Sequence, residues 1–245
     1  EENDWPNRRE LLRDVVQDFA PHVMGTQEGR EHQLRNLEAL LSPMKISDSH
    51  RQWLKERMYP CLFYNPKKIE IIDSGDIWLS KTPYTAGTAS FGSAFPRLCT
   101  WAKAKSVEND RPFLMGNVHL DHVKPETRVE QIRVLMEELG KINNENLPLI
   151  LVGDFNADPA SEVRHKLHQV YDNLYDPWTK LGLPEDSSFH KFQGSDIEGA
   201  RIDWLILDNG LKCNQIELDK TRIQKDDHTL YPSDHYALKG VVDFS

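Results

Sequence analysis

Apolar residues recur along the chain at two spacings, and the change from one to the other marks out its elements. From Pro6 to Phe19, Leu11, Leu12, Val15, Val16 and Phe19 return every three or four positions, the period of a helix buried on one side. Asn7 is its candidate cap and Pro21 its breaker. His22–Gly25 predicts a short strand ending at Thr26-Gln27-Glu28, and Glu31 to Leu41 returns to helical spacing before Pro43. From Cys61 onward strand patterns dominate. Cys61–Tyr64 and Ile69–Ile72 flank Asn65-Pro66-Lys67-Lys68, which predicts a hairpin. Leu98–Lys105 and Phe113–Leu120 are further strands. Glu126–Ile142 is the clearest helix, with Val129, Ile132, Leu135, Met136 and Leu139 on one face. Leu149–Val152 is a continuous apolar run, as in a strand buried on both faces. Ser161–Val170 is a weaker helix, and Ile202–Leu207, Gln215–Leu218 and Tyr236–Phe244 complete the strands. Strands that outnumber a few strong amphipathic helices predict a layered α/β sandwich. Two long loops rich in Gly, Ser and Thr, Thr82–Pro96 and Pro184–Gly199, either border a site or are mobile.

Composition narrows the class. With 245 residues, 38% hydrophobic and 28% charged, the chain is that of an ordinary globular protein, expected to form one domain over 1–245 and to be a monomer. No apolar run approaches the roughly 18 residues a membrane-spanning helix needs. A formal net charge of −9 opposes non-specific gripping of a polyanion, because phosphate contacts need Lys and Arg. Cys61, Cys99 and Cys213 are widely spaced without a CxxC pattern, which argues against a disulfide scaffold or a Cys-ligated zinc and for buried free thiols. The chain starts at Glu1 with no signal-peptide pattern, which leaves compartment open.

The chemistry lies where polar residues interrupt apolar strands. Gly153-Asp154-Phe155-Asn156 follows directly on Leu149–Val152, and an Asp and an Asn two apart at a strand end point the same way. The bland alternative is a turn, which Asp158-Pro159 also suggests. Asn117, His119 and Asp121 alternate with apolar residues, so all three share one face. Asp203 begins another apolar strand, where a salt bridge to Arg201 is the plain reading. Asp234-His235 before the last strand offers a metal ligand beside an acid/base, and Glu28 alone reads as the first acid of a helix N-terminus. Acids, amides and two histidines thus fall at the ends of five strands, with no nucleophilic Ser or Cys motif and no glycine-rich phosphate loop.

In order and approximate spacing, Gln27-Glu28, Asn117-Val118-His119-Leu120-Asp121, Gly153-Asp154-Phe155-Asn156, Arg201-Ile202-Asp203 and Ser233-Asp234-His235 resemble the endonuclease/exonuclease/phosphatase superfamily over nearly the whole chain. Ile77-Trp78-Leu79-Ser80 and Phe95-Pro96-Arg97-Leu98-Cys99-Thr100-Trp101 look like its bacterial-type branch. The resemblance implies a deoxyribonuclease-like four-layer α/β/β/α sandwich of two mixed sheets, and a divalent-metal-dependent phosphoric ester hydrolase working by in-line attack of water. Glu28 would be the principal ligand of Mg²⁺ or Mn²⁺, with Asp234 near a second position. Asp154 and Asn156 would hold the attacking water and the phosphoryl group, His119 would donate to a phosphoryl oxygen, and Asp203 would orient His235. Asn117, Asp121 and Arg97 would contact substrate. Relatives begin with a strand carrying a metal-binding Asn, so the resemblance implies that the native first strand is missing here. They also place an acid before the strand at Cys61–Tyr64 to support the first histidine, for which Glu56 is the local candidate. The expected substrate is a phosphorylated small molecule, sugar or lipid head group, cleaved by a phosphodiesterase or phosphatase. The alternatives are a nuclease on DNA or RNA, with Arg97, Lys103 and Lys105 on the backbone, and a non-catalytic binding module that keeps the fold.

Overall fold

A computed structural model of the chain describes residues 3–194, 199–225 and 228–245, so Glu1, Glu2 and part of the Pro184–Gly199 loop lie outside the described residues. Helix α1 (Trp5–Phe19) starts earlier than its apolar pattern suggests. Asp4 rather than Asn7 is its N-cap, and Pro6 sits in the first turn, where a missing N–H is harmless. There follow β1 (Val23–Gly29), α2 (Glu31–Leu40), β2 (Lys45–Ile46), β3 (Tyr59–Tyr64), β4 (Ile69–Trp78), β5 (Leu98–Ser106), β6 (Pro112–His119) and α3 (Pro125–Ile142). The rest of the chain forms β7 (Leu149–Asp154), α4 (Glu162–Val170), β8 (Leu174–Tyr175), α5 (Pro177–Lys180), β9 (Asp203–Asp208), β10 (Leu211–Asp219), β11 (Ile223–Lys225), β12 (His228–Leu230) and β13 (Ala237–Phe244).

The largest sheet runs β4-β5-β6-β7-β9-β8, mixed because β6 and β7 are parallel and the other pairs antiparallel. Facing it are the sheet β1-β3-β2 and the pair β10-β13. The faces follow from alternation along each strand. In β6 and β7, Leu114, Val118, Leu149 and Leu151 point to one side and pack under Ile132, Leu135 and Leu139 of α3 and Leu167 of α4. The alternate residues Phe113, Met115, Ile150 and Val152 point to the other side, against Leu62 and Val23. Leu205 and Leu207 of β9 meet Leu211, Cys213, Ile216 and Val242 in the same interlayer. Beyond the smaller sheet, Val16, Leu34 and Leu37 of α1 and α2 cover Tyr59, Cys61 and Phe63. The result is an α/β/β/α sandwich of four layers.

The hairpin expected at Asn65–Lys68 does not form. Asn65 O does accept from Lys68 N and Ile69 N at 2.9 Å, so the turn is real. But β3 pairs with β1 and β2, while β4 lies in the other sheet and pairs with β5 along its length. The turn carries the chain from one layer to the next.

Candidate active site

Three neighbouring strands of the large sheet end on the same line. His119 is the register partner of Asp154, and Asp154 of Asp203. All three continue the interlayer side of their strands, after Met115 and Asn117, after Val152, and before Leu205. They therefore stand side by side at the open end between the sheets. His119 Nε2 lies 3.3 Å from Asp154 Oδ2, and Asp154 Oδ1 accepts from Asn156 N at 2.8 Å. Asn156, with φ of 49°, turns its Nδ2 toward Leu120 O at 3.1 Å.

The opposite sheet contributes Glu28. Its neighbour Gln27 points inward and donates to Asn117 Oδ1 at 2.8 Å, so regular alternation would aim Glu28 away. A register shift between Thr26 and Gly29 and a φ of 59° at Glu28 break that alternation. The Glu28 carboxylate, 61% exposed, comes within 4.0 Å of His119 Nε2. It caps nothing, since the N-cap of α2 is Arg30. A left-handed non-glycine residue at such a position is conformational strain held in place by its surroundings.

His235, from the loop before β13, places Nδ1 2.8 Å from Asp203 Oδ2. The plain reading of Asp203 as a partner of Arg201 is thereby replaced. Arg201 is fully buried and pairs instead with Asp176 and Glu185 at 2.8 and 2.9 Å. Asp234 accepts through its backbone carbonyl from His190 N at 2.9 Å, while its carboxylate receives Ser233 Oγ–H at 3.3 Å. Burial, and then the Asp203 charge, push Asp154 up to about 7. Burial alone would lower His235, but the hydrogen bond and charge of Asp203, with Asp154 and Asp234, raise it to about 9. Burial and the Arg97 charge hold His119 well below the ordinary histidine value.

Arg97 is buried beside His119, with Nη1 at 2.9 and 3.0 Å from its two ring nitrogens. Nη2–H donates to His122 Nδ1 at 3.1 Å, and Nε has no partner. Among the described residues no carboxylate reaches ion-pair distance of this guanidinium. A buried guanidinium whose close partners are neutral imidazoles keeps its charge without a counter-ion, which suits contact with an anion.

Other expectations land elsewhere. Asn117 is fully buried behind the site, where Nδ2 donates to Thr26 O and Cys61 O at 2.9 and 2.8 Å and ties the two sheets together. Asp121, also fully buried, accepts from Ala94 N, Val123 N and Lys124 N at 2.8 to 2.9 Å and from Ser93 Oγ, so its oxygens hold loops rather than face the cleft. Glu56 is exposed and lies 3.9 Å from Arg30, not beside His119. Lys103 and Lys105 pair with Glu145 and Asp110 toward the other end of β5 from Arg97. The sequence reading missed His122, adjacent to Asp121, and Phe189, whose ring lies 4.7 Å from that of His235. Both lie outside the regular elements, His122 in the short connection between β6 and α3 and Phe189 in the loop before β9, where no periodicity marks them. Cys61, Cys99 and Cys213 are all buried free thiols, as expected.

Among the described residues no three His, Cys, Asp or Glu side chains form a ready cation cage. Zinc favours such sets. Mg²⁺ takes one or two carboxylates and keeps its waters, which suits the open Glu28 carboxylate at the cleft.

Residues 1–235 match the model of the Endonuclease/Exonuclease/phosphatase family. No curated protein sequence matches the chain. Among solved structures, the chain is similar to an endonuclease/exonuclease/phosphatase family protein from Bacteroides thetaiotaomicron, with 24% identity over 99% of this chain and 91% of that one and a TM-score of 0.90. It is also similar to the mannosyl-6-phosphatase of Bacteroides thetaiotaomicron VPI-5482, with 25% identity over 99% and 92% of the two chains and a TM-score of 0.88. The human Nocturnin catalytic domain with bound sulfate anion shares the fold, at 20% identity over 100% and 88% and a TM-score of 0.74.

Proposed function

The chain belongs to the endonuclease/exonuclease/phosphatase family, and we propose that it hydrolyses the phosphate ester of a small molecule, a phosphorylated sugar or lipid head group, by direct attack of water with Mg²⁺ or Mn²⁺ bound. The observation that carries this reading is the convergence of His119, Asp154 and the Asp203–His235 pair on one strand-end line opposite Glu28.

Water attacking a phosphorus atom meets a shell of negative oxygens. Glu28 would hold the cation with Asp234 near a second position, and the cation would neutralise charge on the phosphoryl oxygens. Asp154, raised to about 7, is matched to neutral pH as the group that takes the proton of the attacking water. His235, raised to about 9, stays cationic there and serves as a donor to a phosphoryl or leaving oxygen rather than as the base. Asp203 fixes the His235 ring through Nδ1, which turns Nε2 toward the substrate. His119 remains neutral and donates a hydrogen bond, and Arg97 pairs with the phosphoryl charge. With every thiol buried, no cysteine is available for a covalent intermediate.

The mannosyl-6-phosphatase likeness and the net charge of −9 support a small phosphorylated substrate over nucleic acid. Lys103 and Lys105 each pair with a carboxylate, Glu145 and Asp110, away from Arg97, which lends less support to a basic track for the nuclease alternative. Turnover of nitrophenyl phosphate, bis-nitrophenyl phosphate and a labelled oligonucleotide, each with Mg²⁺ and with chelator, tests the proposal. Cleavage of a small ester that chelator abolishes is expected. Cleavage of the oligonucleotide alone, with binding that falls steeply as salt rises, would overturn it.

A further inference from the structure

Arg97 reaches two imidazoles. Its Nη1 lies against His119, while Nη2–H donates to Nδ1 of His122 at 3.1 Å. A ring nitrogen that accepts carries no proton, so the His122 proton sits on Nε2, directed away from Arg97. His122 is exposed, and its ring stacks on Phe95, with centroids 5.9 Å apart and planes inclined by 17°. Phe95 is itself 49% exposed, and the Arg97 guanidinium carbon is 5.9 Å from its ring centre. One guanidinium therefore joins His119 of the proposed site to an exposed aromatic pair a guanidinium's width away.

A single exposed apolar side chain is ordinary on any protein surface. This one is held in place. The single Ser93 Oγ–H is shared between Phe95 O at 2.7 Å and the Asp121 carboxylate at 3.1 Å, and Ala94 N donates to the same carboxylate. The same carboxylate receives Val123 N and Lys124 N, which fixes the turn that follows His122. Phe91, with φ of 60°, bends the preceding loop in a conformation disfavoured for a bulky residue. A buried acid and a strained loop thus keep a flat apolar surface and one outward N–H donor beside the phosphoryl receptor.

We propose that Phe95 and His122 form the subsite for the ring of a sugar phosphate. The C–H face of a pyranose lies on Phe95, a ring hydroxyl accepts from His122 Nε2–H, and the phosphoryl group reaches Arg97 and His119. A pyranose offers this combination, an apolar face and an edge of hydroxyls. A nucleobase would present several edge groups that need partners, and the pair supplies one donor. The inference rests on the hydrolase reading above and assigns its specificity.

The test compares kcat/KM for a hexose 6-phosphate, for glycerol 3-phosphate as an acyclic monoester and for a nucleoside 5′-monophosphate, with Mg²⁺, in the wild type, Phe95→Ala, Phe95→Trp and His122→Phe. The wild type should prefer the hexose ester. Phe95→Ala should lower the ratio of hexose to glycerol ester by about tenfold, mostly through KM, the size of a lost aromatic contact. Phe95→Trp should restore most of that ratio, and His122→Phe should lose part of it. Unchanged melting temperatures would exclude misfolding, which the exposure of both side chains already disfavours. An unchanged ratio in Phe95→Ala, or a wild-type preference for the nucleotide, would overturn the subsite while leaving the hydrolase intact. No turnover of any phosphate ester by the wild type would instead overturn the reading on which it rests.

Discussion

Gly153 has a φ of 141°, and a Cβ placed there would lie 2.0 Å from Val118 O. No other residue fits between β6 and β7 at the point where the next side chain is Asp154. Gly153→Ala should therefore destabilise the fold by about 3 kcal/mol or more, read as a lower urea midpoint, and should depress activity more than its stability loss explains. His235→Ala removes a cation and the partner of Asp203, and a fall in kcat of roughly 10² to 10⁴ is expected from steady-state kinetics with a small phosphate ester. Near-normal turnover would strip His235 of its role. At this scale the sequence was informative where chemistry follows alternation. His119, Asp154 and Asp203 could be found because strand period alone puts them on one side. It misled where a side chain's partner comes from a distant loop. Arg201 lies two positions from Asp203 along the chain yet is drawn to Asp176 and Glu185, and Asp121 shares the His119 pattern but is consumed by four loop donors.

Behind the site, β4 and β5 hold a second polar cluster. Asp76 receives Arg51 Nε at 2.8 Å and Nη2 at 2.5 Å, and Arg51 Nη2 also donates to Thr100 Oγ1 at 2.6 Å. The guanidinium lies over Tyr59 and Trp53 at 4.5 and 4.7 Å. Burial alone would raise Asp76, but the contact with His50 Nε2 at 3.4 Å and the hydrogen bonds and charge of Arg51 bring it down to about 2. The folded value lies below that of an unfolded aspartate, near 3.9. The stabilisation is thus complete above about pH 4 and is lost as pH falls through about 2. Asp76→Asn should destabilise the protein by about 3 to 5 kcal/mol at neutral pH, because Arg51 is left buried without its counter-charge. Its denaturation midpoint should also change less than the wild type's between pH 4 and 2. Long elements of this kind were legible from periodicity, as α3 and β7 show. The two- and three-residue strands β2, β8, β11 and β12 and the one-turn α5 are too short for any period, and pairing alone defines them. The Asn65–Lys68 turn shows the same limit. Local residues set a reversal, but the choice of partner strand belongs to the layers.

Across the whole molecule, the proposed site straddles two sheets. Imidazole and aspartates come from the large one, and the exposed glutamate from the small one. Their mutual placement depends on Asn117, which bonds to Thr26, Gln27 and Cys61 across the gap, and on Gly25, where a Cβ would come within 2.8 Å of Asn117 Cγ. Here the layers meet through hydrogen bonds, as they also do where Thr100 Oγ1 donates to Pro60 O at 2.6 Å and Tyr175 OH to Leu211 O at 2.9 Å, and not only through oily contact of the kind that tolerates slippage. Misplacing reacting groups by about 1 Å can cost two orders of magnitude in rate. A preparation warmed gradually should accordingly fall silent as a catalyst some degrees before its circular dichroism changes, and recover on cooling. Simultaneous loss of both signals would mean that the two halves of the sandwich are clamped by their apolar filling instead of by the polar bridges around Asn117.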